Sequence, residues 1–201
     1  MQARYSKTFR VIFLVFVLLL IALVTLVYVR QQARTSEVVF MYNGFKFQRD
    51  QQGYEIQLFI NDQKTPTLIH LREDPRTLET IPIQGNIQIL RQKQQLHITL
   101  DPYANLTGKT TIAALEIDAI IDNPYLFNIP VNSAFTQPYA NGTIKTCADV
   151  NATEGVILLE KGDATSITED KGCILLRGVT EQDLIRAADR LAYTLLNIMQ
   201  P

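Results

Sequence analysis

The sequence predicts an α+β protein with one N-terminal transmembrane helix, followed by a mixed β-sheet domain with two main helices. Three observations predict it. Residues Val11 to Val29 read VIFLVFVLLLIALVTLVYV, with no charge, glycine or proline. Residues 38–201 break into short alternating stretches typical of strands. Apolar residues recur at helical spacing at about 109–121 and again at 181–199.

The first stretch comes first in the chain. A nineteen-residue helix rises roughly 28 Å, close to the roughly 30 Å of bilayer hydrocarbon. Arg4, Lys7 and Arg10 precede it without an acid, so the positive-inside rule puts the N-terminus in the cytoplasm. The run exceeds the apolar region of a signal peptide, which favours an uncleaved signal anchor. The organisation expected is a basic cytoplasmic tail (1–10), a transmembrane anchor (11–29), a linker (30–37) and one extracytoplasmic α+β domain (38–201). The expected location is the cell membrane, single-pass.

Val38 to Phe47 and Tyr54 to Ile60 alternate as two strands of a hairpin. Asn61 to Thr65 turns the chain, and Thr67 to Leu71 forms a third strand. Leu78 to Gln94 is interrupted by Pro82 and Gly85 and suits neither strand nor helix cleanly. Leu96 to Leu100 is a strand that ends at Asp101-Pro102. A helix over Lys109 to Ile121 follows, stopped by Asn123-Pro124, and a strand within Phe127 to Phe135 completes a right-handed β-α-β unit. Val156 to Leu159 and Cys173 to Leu176 are continuous apolar strands, with a short strand at Ser166 to Thr168 between them. The last helix spans Glu181 to Met199, with Thr180 as N-cap and Asp183 as the capping-box acid. Its polar face is read as Gln182, Arg186, Asp189 and Arg190.

The net charge of −1 gives no electrostatic reason to expect nucleic acid. Cys147 and Cys173 are the two cysteines; in an oxidising compartment they pair, the alternative being two separate buried thiols. Asn105-Leu-Thr107, Asn141-Gly-Thr143 and Asn151-Ala-Thr153 match the N-glycosylation acceptor pattern. Gly108-Lys109-Thr110 follows a strand and opens a helix, as the end of a phosphate-binding loop does. That motif needs glycine where this chain has Tyr103, so no nucleotide is expected. His70 and His97 lack a second ligand at metal spacing. No serine sits in a nucleophile turn. Glu116, Asp118 and Asp122 read as solvated, and Asp101 as a turn residue. The sequence therefore assigns no catalytic residue, cofactor or metal.

Cys173-Ile174-Leu175-Leu176, Gly178-Val179-Thr180 and Ala187 to Tyr193 resemble the ends of some uncharacterised archaeal single-pass membrane proteins. The resemblance covers about a quarter of the chain and implies an envelope-facing domain without a known activity. The function expected is that of a membrane-anchored, non-enzymatic cell-envelope component. Its partners would be the lipid bilayer and another envelope protein or a glycan. The alternative expectation is a membrane-tethered extracellular hydrolase or carbohydrate-active enzyme.

Overall fold

The structure is a computed structural model that describes residues 7–34, 39–60 and 65–201. The chain divides into two compact units, Met1–Val38 and Val39–Pro201.

The first unit contains one helix, α1, Lys7–Arg34. Side chains are described at Phe9 and from Val11 to Leu26; those of Val27, Tyr28 and Val29, like Arg4 and Glu37, lie outside the described residues. Among the described residues no helix is long and apolar enough to cross a membrane. This corrects the expectation of a transmembrane anchor over Val11–Val29. The expectations of a single-pass topology, a cytoplasmic N-terminus, a bilayer partner and the single-pass membrane family implied by the C-terminal resemblance fall with it. Both functional expectations, the anchored envelope component and the tethered hydrolase or carbohydrate-active enzyme, lose the anchor on which they stood.

The second unit is α+β, with a mixed sheet and two main helices as the sequence implies, but it has two sheets. Strands β1 (Val39–Tyr42), β2 (Phe45–Arg49), β3 (Tyr54–Leu58) and β4 (Thr67–Leu71) form an antiparallel sheet in chain order. The reading of Val38 to Phe47 as one strand is corrected. Asn43 and Gly44 adopt φ of 47° and 86°, as a two-residue hairpin turn between twisted strands requires. The connection at residues 61–64 lies outside the described residues.

The second sheet has six strands in the order β5 (Ile83–Gln84), β9 (Ser166–Asp170), β10 (Cys173–Gly178), β8 (Glu154–Lys161), β6 (Gln95–Leu100) and β7 (Val131–Phe135). Strands β10, β8, β6 and β7 run parallel, and β9 is antiparallel to β10. Between β6 and β7 runs α2, Gly108–Ile121, the crossover that adjacent parallel strands need. The last element is α3, Glu181–Leu195, and Thr180 and Asp183 form its capping box as expected. Helix α3 stops earlier than Met199 because Asn197 takes φ of 58°. The Ile198 N–H then donates to Tyr193 O at 2.9 Å, which closes the helix with a Schellman bond.

Helix α3 joins one core with both sheets. Tyr193 packs on Phe47 of β2 with ring centroids 5.8 Å apart. Leu184, Ala188 and Leu191 share that core with Ile174 and Leu176 of β10 and Leu159 of β8. Coverage on both sides buries the later half of the face read as polar, Asp189 and Arg190, while Gln182 stays exposed. Asp189 is fully buried and Arg190 is 4% exposed. Arg190 donates to Ile81 O, Thr194 Oγ1 and Gln200 O, so its desolvated charge is held by three acceptors.

The opposite face of the six-stranded sheet is crossed by a strap, residues 136–153, between β7 and β8. It contains a short 3-10 turn, Cys147–Asp149, capped by Thr146. A Cys147–Cys173 disulfide fastens it to β10.

Candidate functional site

The register of β7 on β6 sets the site. Leu96 N–H donates to Pro130 O (2.9 Å) and Thr136 N–H donates to Leu100 O (3.0 Å). In a parallel pair such bonds alternate along the strand, so the even-numbered residues of β7 turn their peptide groups to β6. The odd-numbered residues turn theirs outward. At Phe135 the outward groups are used: its N–H donates to Thr143 O (2.8 Å), and Lys145 N–H donates to Phe135 O (2.9 Å). Among the described residues nothing pairs with the outward N–H and C=O of Val131 and Ser133. The strand carries no charged residue and no proline, the devices that normally blunt an edge.

The same odd-numbered side chains face α2. Val131, Ser133 and Phe135 stand beside Ile98 and Leu100 of β6, and α2 supplies Thr111, Ala114, Leu115 and Asp118 as the opposite wall. Together they line an open, mainly apolar groove of about 400 Å³. Leu115 is 58% exposed at its rim. Asp118 is the one ionisable group lining it. Burial raises its carboxyl above the usual range, and the neighbouring Asp122 adds to the shift. At the carboxyl end of β7, Tyr139 stands edge-on to Phe135 at 5.1 Å, and Tyr103 stands edge-on to Tyr139 at 6.0 Å.

The position of α2 is fixed at both ends of its buried face. Its N-terminus is the site the Gly108-Lys109-Thr110 resemblance would give to phosphate. The chain fills it itself: Glu181 Oε2 accepts from Thr107 N–H (2.8 Å), Thr107 Oγ1 (3.0 Å), Thr110 N–H (3.2 Å) and Thr110 Oγ1 (2.8 Å). Partial burial pushes the Glu181 carboxyl up, but the threonine hydrogen bonds outweigh it and hold it below the usual range. Further along, Glu116 meets Asp189 of α3. Asp189 Oδ2 accepts from Arg72 N–H (2.9 Å) and Glu73 N–H (2.7 Å), and Arg72 pairs with Glu116. Burial raises both carboxyls, and the charge of Glu116 pushes Asp189 well up. Asp189 Oδ1 accepts no hydrogen bond. The burial of Glu116 corrects its reading as solvated.

Of the residues singled out from sequence, Asp118 lines the groove and is partly buried, which corrects its reading as solvated; the others lie apart from it. Cys147 and Cys173 are bonded to each other. Asn105, Asn141 and Asn151 are exposed on loops; Asn151 Oδ1 accepts from Thr153 N–H at 2.9 Å. Asp101 Oδ1 accepts from Tyr103 N–H and from Gln137 Nε2, so it is a turn residue. His70 pairs with Asp50 at 2.6 Å on the surface of the four-stranded sheet. His97 lies under the strap, 4% exposed, with Glu154 Oε2 3.8 Å away and both ring nitrogens without a hydrogen bond. Sequence reasoning missed the groove. Val131, Ser133 and Phe135 alternate, but only the pairing with β6 shows that their outer edge is free.

No family model, curated protein or solved structure matches the chain.

Proposed function

We propose that the second unit is a polypeptide-binding module that takes an extended, largely apolar segment along the β7 edge. The observation that carries this reading is the pairing of open peptide groups at Val131 and Ser133 with an apolar groove on the same side. An added strand gains main-chain hydrogen bonds from such an edge and specificity from alternate side chains entering a groove. The bound segment pairs with Val131 and Ser133 and ends where the strap occupies Phe135.

The test is selection of a displayed library of random decapeptides on the full-length chain. The expected winners alternate apolar and polar residues, and their binding slows amide exchange at Val131 and Ser133. Ser133→Pro removes the outward N–H at an edge position where proline is tolerated, and it abolishes binding. Ser133→Ala keeps that N–H and keeps binding. The reading fails if nothing is enriched, if Ser133→Pro binds as well as the parent, or if the β7 edge is found buried in a dimer of the full chain.

A further inference from the structure

We infer that the groove selects a basic residue in the bound segment, with Asp118 as the residue that determines this preference. The inference rests on the peptide-binding reading of the groove and names the partner more closely.

Three observations carry it. First, the lining is otherwise without charge: Ile98, Leu100, Val131, Ala134 and Phe135 on the sheet side, with Ser133 and Thr111 as neutral polar groups. A single acid in such a wall is the only electrostatic feature a ligand meets. Second, the Asp118 carboxylate has no hydrogen-bond or ion-pair partner among the described residues, and the charge that acts on it is that of another acid, Asp122. An acid beside a second acid, half out of water, gains from a cation and from nothing else nearby. Third, its place along the groove is set. Helix α2 runs back from the end of β6 to the start of β7, so Thr111 lies towards Phe135 and Asp118 towards Val131. An extended segment carries alternate side chains on one face. The strap occupies the edge at Phe135, so the segment pairs over Val131 and Ser133, and its residues facing that pair are two apart. The segment that fits carries Lys or Arg opposite Val131 and an apolar residue two positions away, opposite Ser133.

The experiment repeats the decapeptide selection on the full chain and on Asp118→Asn, which keeps the side chain's shape. A winning peptide is then synthesised with its basic residue intact and with Met in its place. The expected result is enrichment of Lys or Arg two positions from an apolar residue on the parent. On Asp118→Asn the apolar alternation persists and the basic preference disappears. The basic peptide should lose about fivefold in affinity on Asp118→Asn, while the Met peptide binds both chains alike. If peptides are enriched without a basic preference, or if Asp118→Asn leaves the ratio of the two peptides unchanged, this inference is wrong and the peptide-binding reading stands. If no peptide is enriched on either chain, both are wrong together.

Discussion

The two faces of the six-stranded sheet are covered by opposite means. On one face α3 buries eleven of its fifteen residues. On the other face the strap, residues 136–153, buries none. Its attachments include the Cys147–Cys173 bond, the Thr99 Oγ1 hydrogen bond to Lys145 O at 2.8 Å, the Lys145–Glu154 ion pair at 2.6 Å, the Tyr103 and Gln137 hydrogen bonds and a few peptide hydrogen bonds. A helix with that much area removed from water stays in place without a covalent link. A polar strap cannot gain enough from burial to offset the entropy of ordering itself, so it needs a staple.

The comparison can be broken first on the helix face. Asp189→Ala strands the Arg72 and Glu73 N–H groups and removes the partner of Glu116, and it should cost about 4 kcal/mol. Asp189→Asn keeps the shape and an oxygen that accepts from both N–H groups, and it should keep the fold. Urea unfolding of the full chain measures both, and equal stabilities for the two variants would contradict the hydrogen-bond scheme.

On the strap face, replacing Cys147 and Cys173 with Ser opens a loop with a sequence separation of 26. The chain-entropy model puts that loss at about 3–4 kcal/mol. Limited proteolysis should then cut within residues 137–153 before it cuts anywhere in α3. Early cleavage in α3 would mean that the bond supports the whole fold and not the strap.

The faces should also respond oppositely to pH. Asp189 and Glu116 have folded pKa values raised above their unfolded values. Their contribution is fully present below about pH 4 and is lost as pH rises towards the folded values. Burial, aided by Lys145, lowers the pKa of His97. Its contribution is present above about pH 6.5 and is lost as pH falls through the folded value. Stability measured across pH 4–9 should therefore flatten at its alkaline side in Asp189→Asn and at its acid side in His97→Gln. A variant that flattens the wrong side refutes the assignment. The smallest expected effect is that of Glu181→Gln, which weakens four hydrogen bonds at a partly exposed site and should cost about 1 kcal/mol.

Local chemistry was legible in the sequence, and coverage was not. The capping box of Thr180 and Asp183, the β-α-β unit and the strands of the parallel core depend on neighbours in the chain, and they stand as read. Asn43-Gly44 carried a hairpin signal that the alternation of Val38 to Phe47 obscured. Asp189 and Arg190 fall on the polar side of a helical wheel. They are buried because residues 72–81, helix α2 and the residues after α3, whose placement no local pattern announces, lie on that side. The groove was hidden for the same reason: it exists where α2 stops covering β7. The long apolar run of α1 was the most conspicuous feature of the sequence, yet among the described residues no helix is long and apolar enough to cross a membrane.

Glu181 has a consequence for the order in which the protein can be completed. The first turn of α2 at residues 107–110 is closed by a carboxylate that lies 74 positions after Thr107 and 71 after Thr110. During synthesis the β6–α2–β7 unit emerges with that end open, and it stays so until α3 has left the ribosome. Helix α3 then supplies the missing anion as it docks. Any partner for the β7 edge meets a finished groove wall only once α3 is in place.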